Sequence, residues 1–175
     1  MSEILMIYST TDGHTRTICE HIKKLLTAQS HLVTLVSVED SSTLNIDRYE
    51  KLVIGASIRY GKHSKNIYQF IKMNLKTLQN KPGAFFSVNL VARKPGKNSP
   101  ETNPYFRKFI NEIAWKPDRV AVFAGKLNYP IYSFVDKQVI RLIMWITKGP
   151  THPDTVKEYT DWQQVESFTS TINDM

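Results

Sequence analysis

The sequence predicts an α/β fold, a doubly wound five-stranded parallel sheet with an apolar insert before the last helix. Two observations lead to this prediction. Short apolar runs alternate with amphipathic helical patterns along the 175 residues, which is typical of a parallel sheet with helices on both faces. There are five such runs, so the strand order 2-1-3-4-5 is the leading topology. At this length one domain is the default, and we expect residues 1–175 to form a single domain.

Each element of that prediction has a local sequence pattern. Strands are predicted where short apolar runs end in small or polar residues, at residues 4–8, 31–38, 51–56, 84–88 and 120–124. The first helix follows residue 15 and places four apolar side chains on one face, those of Ile18, Ile22, Leu25 and Leu26. Ser64 is a suitable N-cap for the second helix. The later helices are predicted at residues 64–78, 102–113, 135–147 and 161–172.

The composition is that of an ordinary soluble globular protein, with 41% hydrophobic and 22% charged residues. Its formal net charge of +7 points to anionic partners. The lone cysteine, Cys19, excludes an internal disulfide, fits a reducing cytoplasm and is expected in the core. No apolar run approaches the ~18–20 residues that span a bilayer, and the first residues lack the features of a signal peptide. We therefore expect a cytoplasmic location, and we expect no metal site.

The loop after the first strand has the chemistry of a phosphate site. Its hydroxyls can donate hydrogen bonds, Gly13 lets the backbone approach a ligand, and a helix N-terminus offers free N–H groups. The loop is neither a dinucleotide fingerprint nor a Walker A motif. It resembles the flavodoxin loop Ser/Thr-x-Thr-Gly-x-Thr, with Asp12 in place of a threonine, and a carboxylate beside a phosphate is repulsive unless it turns away and caps the helix. The predicted cofactor residues here are Ser9, Thr10, Thr11, Asp12, Gly13, His14 and Thr15.

Two more loops at the same sheet edge are predicted to contact a flavin ring, because the carboxyl ends of the strands meet there. Tyr60 can stack on an aromatic ring, and Asn89 can hydrogen-bond the polar edge of the flavin. Three such loops together predict an FMN site in a flavodoxin-like fold. The residues of these two loops are Ser57, Ile58, Arg59, Tyr60, Gly61, Ser87, Val88, Asn89 and Leu90.

Several longer strings resemble the family of menaquinone-dependent protoporphyrinogen IX dehydrogenases. They are IGASIRYG at 54–61, FSVNLVARKP at 86–95, WKPDR at 115–119, AGKLNYP at 124–130 and YTDW at 159–162. That family also carries Asp-Gly in its first loop, which makes Asp12 an expected variant. The resemblance covers essentially the whole chain. It implies FMN as cofactor, oxidation of protoporphyrinogen IX to protoporphyrin IX, and a membrane quinone, menaquinone or ubiquinone, as electron acceptor.

The propionates of such a substrate need cations, and arginine can grip a carboxylate through two parallel hydrogen bonds. No general base is identified, and His63 near the second flavin loop is expected to be a solvated loop histidine. The predicted substrate-binding residues are Arg59, Arg93 and Lys94, ahead of Arg107 and Lys108.

Residues 126–152 are too long for a simple connection before the last helix. Their helical stretch, 135–147, is apolar on most of its circumference and must bury that surface somewhere. It is too short to span a bilayer, so it can lie in a membrane interface or cover a large apolar ligand. An extra core helix and a contact between two copies of the chain stay open as alternatives. The resemblance favours peripheral contact with the cytoplasmic face of the inner membrane.

Other functions remain open at this point. A flavodoxin-type electron carrier shares the predicted fold, although flavodoxins are typically acidic and lack an apolar insert. An NAD(P)H:quinone reductase is a second alternative, which direct reduction of the flavin by NAD(P)H would support. The segment 92–119 carries seven Lys and Arg residues against three acidic ones. No recognition motif accompanies that charge, so we expect no nucleic-acid partner.

Overall fold

The computed structural model describes all 175 residues and contains fourteen regular helices and strands besides short 3₁₀ turns. The strands are β1 (Glu3–Ser9), β2 (Leu32–Ser37), β3 (Lys51–Arg59), β4 (Lys62–His63), β5 (Gly83–Asn89), β6 (Arg119–Ala124), β7 (Lys126–Asn128) and β8 (Val156–Glu158). The helices are α1 (His14–Ala28), α2 (Lys65–Met73), α3 (Leu75–Gln79), α4 (Pro104–Glu112), α5 (Phe134–Ile146) and α6 (Trp162–Asn173).

The central sheet has the order β2-β1-β3-β5-β6, with every neighbouring pair parallel. This confirms the predicted order 2-1-3-4-5, since the short antiparallel β4 lies off that path. Helices α1 and α6 bury one face through residues such as Ile18 and Phe168, while α2, α3 and α4 bury the other through residues such as Phe70 and Phe109. Strand β5 is buried along its whole length because both of its faces are covered. Cys19 lies in the core, as expected.

Two features differ from the sequence prediction. The helix expected at 64–78 is broken at Asn74, whose side-chain amide donates to the Phe70 carbonyl at 2.9 Å and so competes with the helical backbone pattern. The chain also folds β4 back on β3 through Tyr60 and Gly61, which both have positive φ, 51° and 78°. That combination is a type I′ hairpin turn, and it places Tyr60 at a hairpin tip.

The insert forms a two-stranded antiparallel ribbon, β7–β8, and the helix α5. Its small core consists of Leu127, Tyr129, Tyr132, Ile140 and Met144. The last two of these belong to α5, so one narrow face of the helix packs into this core. Several other apolar side chains of the helix are exposed, namely Phe134, Val135, Leu142, Trp145 and Ile146. No helix in the structure combines the length and hydropathy that crossing a bilayer would require.

Candidate cofactor and substrate cleft

A cleft opens at the carboxyl ends of the central strands, between the three predicted loops and α5. Its walls bring together most of the predicted cofactor residues: Thr10, Thr11, Asp12, His14, Thr15, Ser57, Ile58, Arg59, Tyr60, Gly61, Val88, Asn89 and Leu90. Gly13 lines a second cavity, which shares Asp12 and His14 with the cleft. Ser9 and Ser87 line neither cavity. The doubly wound topology accounts for this convergence, because it places the ends of β1, β3 and β5 side by side.

The first loop fits a phosphate group. Gly13 occupies the N-cap position of α1 with φ 87° and provides no side-chain cap, so the first N–H groups of the helix are free of side-chain acceptors. Thr15 is 1% exposed, and its Oγ1 has no hydrogen-bond partner within the protein although the residue lines the cleft. A buried hydroxyl without a partner costs on the order of 1–3 kcal/mol. A ligand oxygen acceptor in the loop would satisfy both sets of donors.

The carboxylate of Asp12 turns away from the helix N-terminus and pairs with Arg59, with 2.5 Å between Oδ2 and Nη2. Its predicted alternative role as a helix cap is wrong, since Gly13 occupies that position. The guanidinium of Arg59 also lies over the ring of Tyr132, 5.3 Å from its centroid. The negative charge that would repel a phosphate is thus neutralised by a cation from the next loop, and Arg59 is held in one orientation.

Tyr60 stands at the tip of the β3–β4 hairpin, half exposed, and its hydroxyl donates to the carboxylate of Asp136 in the first turn of α5. This hydrogen bond is the main reason why the pKa of Tyr60 is raised. The hydroxyl of Ser133 caps the same turn by accepting from the Asp136 backbone N–H at 3.2 Å. The second predicted flavin loop is therefore tied to the beginning of the insert helix.

At the end of β5, the side-chain amide of Asn89 has a fixed orientation. Its Oδ1 accepts from the Ala92 backbone N–H at 3.0 Å and from Asn103 Nδ2 at 3.1 Å. The backbone donor identifies that atom as the oxygen, and the NH₂ group donates one hydrogen to Ser87 Oγ at 3.4 Å, which leaves its second hydrogen available. Asn103 in turn caps α4 through its own Oδ1. Asn89 can therefore present a donor to a ligand in the cleft.

His63 is buried behind this loop, and the expectation of a solvated loop histidine is wrong. Its Nε2 lies 3.0 Å from Ser87 Oγ, and its ring packs against Phe85 and Phe109. Burial lowers the pKa of His63 to about 3. The imidazole is thus neutral near pH 7 and supplies no positive charge to the cleft. The sequence alone did not show this, because the β4 hairpin that buries it is only two residues long.

The predicted substrate cations have different positions. Arg59 and Arg93 line the cleft, whereas Lys94, Arg107 and Lys108 do not. The guanidinium of Arg93 donates to the Leu90 carbonyl at 2.8 Å and to Thr147 Oγ1 at 2.8 Å. Its hydrogen bonds therefore join the β5 loop to the end of α5.

Several lining residues were missed by sequence reasoning. Tyr105 comes from α4, and the insert contributes six more: Lys126, Tyr132, Ile140, Ile143, Met144 and Thr147. The apolar pattern of the insert was the available indication that it covers a ligand. Nothing in the sequence showed which face of α5 turns inward.

Comparison with known proteins identifies the family. Residues 5–154 match the family model described as "Flavodoxin domain". A relative from Leishmania major named protoporphyrinogen IX dehydrogenase (quinone) is 46% identical over 169 residues, which cover 95% of this chain and 72% of the relative. A relative of the same name from Escherichia coli K12 is 44% identical over 173 residues, which cover 96% of this chain and 93% of the relative. The chain belongs to the quinone-dependent protoporphyrinogen IX dehydrogenase family.

The fold of this protoporphyrinogen IX dehydrogenase family member also matches solved flavodoxins. Oxidised Flavodoxin 1 from Bacillus cereus aligns with a TM-score of 0.55 and 13% identity, covering 98% of this chain and 95% of the flavodoxin. At that identity the match shows the fold alone. The flavodoxin domain makes the cofactor of this dehydrogenase family member a flavin.

Proposed function

We propose that the chain oxidises protoporphyrinogen IX to protoporphyrin IX in haem biosynthesis, with FMN as its cofactor and a membrane quinone as electron acceptor. The observation that carries this proposal is the identity of 44% to the relative from Escherichia coli, over 96% of this chain. At that coverage the alignment takes in the insert as well as the flavodoxin core. A flavodoxin-type electron carrier would need neither an apolar wall over the cleft nor this resemblance.

The reaction removes six hydrogen atoms from the porphyrinogen, and three quinones become three quinols. It therefore needs three successive two-electron oxidations at one cleft. A bound flavin supplies the redox chemistry, since it accepts two electrons from an organic donor and passes them to a quinone. The protein must then bind the flavin in one orientation, hold a large flat substrate against it and keep water away.

The residues of the first loop fit FMN because its phosphate can use the buried hydroxyl of Thr15 and the free N–H groups at the start of α1. Tyr60 and Asn89 stand on the two neighbouring loops, where an aromatic ring and a fixed amide donor can hold the flavin ring. Each of these groups is in place through contacts within the protein, so little reorganisation accompanies binding.

The substrate side of the cleft is formed by α5. Ile140, Ile143 and Met144 line it with apolar surface, which suits a tetrapyrrole and excludes water from the reacting atoms. Arg59 is the candidate for a propionate, because its pairing with Asp12 uses only one of the guanidinium nitrogens. Arg93 contributes by fixing the end of α5.

The outer face of α5 is proposed to contact the cytoplasmic face of the cell membrane, where the quinone is dissolved. Phe134 and Trp145 are 77% and 71% exposed, and Val135, Leu142 and Ile146 are exposed beside them. An exposed apolar helix face of this kind, flanked by cations, is the pattern of an interfacial helix. The flanking cations are Lys137, Arg141 and Lys148. One face of the helix would thus bind the substrate while the other meets the membrane.

A direct assay tests the proposed reaction. The purified protein, reconstituted with FMN, is mixed without oxygen with protoporphyrinogen IX and a soluble menaquinone analogue, and the porphyrin fluorescence is followed. We expect fluorescence to rise only when both protein and quinone are present. Fluorescence that does not exceed the protein-free control would contradict the proposal, and bleaching of the flavin by NADPH alone would favour the reductase alternative.

A further inference from the structure

Lys126 is the first residue of β7 and lies between the two cavities beside the phosphate loop. It lines the cleft together with Thr10 and Thr15, and it lines the second cavity together with Gly13 and His14. It is partly buried rather than extended into solvent.

Backbone contacts fix this position. The N–H of Gly125 donates to the Asn89 carbonyl at 3.2 Å, and the N–H of Tyr159 donates to the Gly125 carbonyl at 3.1 Å. The residue before Lys126 is thus bound to the β5 loop on one side and to the chain after β8 on the other. The backbone before Lys126 is therefore fixed, and the cavities that the lysine lines place it beside the first loop.

The charge of Lys126 has no ion-pair partner. Its neighbour across the β7–β8 ribbon is Glu158, but no carboxylate oxygen lies within 4.0 Å of the lysine nitrogen. The carboxylate of Glu158 instead accepts from the indole N–H of Trp162 at 2.7 Å. The two other cations near the loop are both paired, since Arg59 contacts Asp12 and Arg16 contacts Glu20 at 2.8 Å.

The remaining ionisable group of the loop is His14. Its Nε2 lies 2.6 Å from Thr160 Oγ1, and that hydroxyl already donates its only proton to the Ala124 carbonyl at 2.8 Å. His14 therefore donates through Nε2. Burial is the main cause that lowers the pKa of His14, Glu158 opposes the shift, and the nearby charge of Lys126 adds to it. Lys126 is therefore the unpaired positive charge of this loop.

We infer that Lys126 is the counter-ion of the cofactor phosphate and makes the site select a phosphorylated flavin over riboflavin. This inference rests on the proposed function, because it assumes that the phosphate of FMN occupies the first loop. A phosphate monoester carries about −1.5 to −2 charges at pH 7, and the loop has no other unpaired cation to balance it. The insert would then serve the cofactor through Lys126 and the substrate through α5.

Binding titrations of the flavin-free full-length protein test the inference without any turnover. FMN and riboflavin are titrated separately by quenching of flavin fluorescence, for the wild type, Lys126→Gln and Lys126→Arg, at low and high salt. We expect Lys126→Gln to weaken FMN binding about tenfold, which is the effect of about 1.4 kcal/mol, and to leave riboflavin binding unchanged. The salt dependence of FMN binding should decrease, and Lys126→Arg should restore most of the affinity.

Lys157→Gln is the matched control, since it removes the same charge from the same ribbon. The amine of Lys157 lies over the ring of Tyr159, 5.1 Å from its centroid, and the residue lines neither cavity. The affinity of Lys157→Gln for FMN and for riboflavin should equal that of the wild type. Equal loss of FMN and riboflavin binding in Lys126→Gln would mean that the ribbon is disturbed and would overturn the inference.

Unchanged FMN binding in Lys126→Gln, with a raised KM for protoporphyrinogen IX, would also overturn it and would identify Lys126 as a propionate partner. A porphyrin assay that fails while the wild type still prefers FMN over riboflavin would contradict the proposed reaction and leave the inference standing. If the wild-type protein binds no FMN, both the proposed reaction and the inference about Lys126 are wrong.

Discussion

At the scale of single residues, a change at Thr15 should affect phosphate binding and the stability of the folded protein in different ways. Its hydroxyl is buried without a partner in the protein, while its β-branched body packs at the start of α1. Valine has nearly the same shape and lacks the hydroxyl. Removing this oxygen therefore breaks no hydrogen bond within the folded protein. A phosphate bound in the loop would lose a hydrogen-bond donor.

Thr15→Val should accordingly weaken FMN binding about tenfold, the effect of one hydrogen bond to a charged group. The stability of the flavin-free protein should stay equal or rise by up to about 1 kcal/mol, because an unsatisfied buried group has been removed. Flavin fluorescence titration and urea unfolding measure the two quantities. Thr27→Val is the control, since Thr27 lies in the same helix, is exposed and lines neither cavity. A Thr15 variant that loses stability and keeps its FMN affinity would exclude this residue from the phosphate site.

The residue scale is also where sequence reasoning reached its limit. Asp12 was expected to repel a phosphate or to cap a helix, because only its neighbours in sequence were visible. Its actual partner, Arg59, is 47 positions away on another loop. The pairing depends on how β1 and β3 lie side by side, and this is a property of the folded sheet. The burial of His63 has the same origin, since it requires β4, α4 and β5 together.

At the scale of elements, the five parallel strands could be predicted because each is an apolar run that leads into a polar loop. The convergence of the three loops predicted to hold the cofactor followed from the same pattern, since strand ends determine where the loops lie. The hairpin β3–β4 and the ribbon β7–β8 could not be predicted, as two- or three-residue strands carry no periodic pattern. Which face of α5 turns towards the cleft could not be predicted either, because it depends on tertiary contacts at the two ends of the helix.

Those two ends are held by different contacts. Tyr60 donates to Asp136 at the beginning of α5, and Arg93 donates to Thr147 just after its end. Arg93→Lys should remove the second contact, because an ammonium cannot reproduce the planar fork that reaches both Leu90 and Thr147. We expect amide hydrogen exchange in α5 to accelerate about tenfold, while exchange in β1, β3 and β5 stays unchanged.

Lys94→Ala is the control for this exchange experiment, since Lys94 belongs to the same loop and does not line the cleft. It should leave the exchange of α5 as in the wild type. Arg93→Lys could instead leave hydrogen exchange in α5 unchanged and raise the KM for protoporphyrinogen IX. That result would assign Arg93 to substrate binding and show that its hydrogen bond to Thr147 does not stabilise α5.

The outer face of α5 makes a separate prediction about membranes. Phe134→Ser together with Trp145→Ser should reduce binding to vesicles of mixed neutral and anionic phospholipid at least tenfold, because both side chains are largely exposed and apolar. Cosedimentation measures this binding. Turnover with a water-soluble quinone should be unchanged, since neither residue lines the cleft. Met73→Ser is the control, an exposed apolar residue at the end of α2. Equal vesicle binding by all variants would contradict the proposed membrane contact.

At the scale of the whole molecule, the buried His63 links stability to pH. The pKa of this histidine falls from its ordinary 6.5 to about 3 in the folded protein. Between these two values the unfolded chain binds a proton that the folded protein does not, so the free energy of unfolding rises with pH across this window. Stability from this group is complete above pH 6.5 and is lost progressively as the pH falls towards 3. The upper bound of the effect is several kcal/mol, at about 1.4 kcal/mol for each pH unit.

His63→Gln should therefore flatten the pH dependence of stability in this window. Glutamine does not titrate, and its amide can still reach Ser87 in place of the imidazole Nε2. Urea unfolding at several values between pH 4 and pH 8 measures the difference, and we expect the variant to lose clearly less stability on acidification than the wild type. His152→Gln is the control, because the side chain of His152 is 75% exposed and its removal should leave the pH profile unchanged. Parallel profiles for the wild type and His63→Gln would show that acid sensitivity arises elsewhere in the molecule. A flattened profile would show that the buried His63, beside Ser87 of β5, sets the lowest pH at which the protein stays folded. The cleft would then be formed only above that pH.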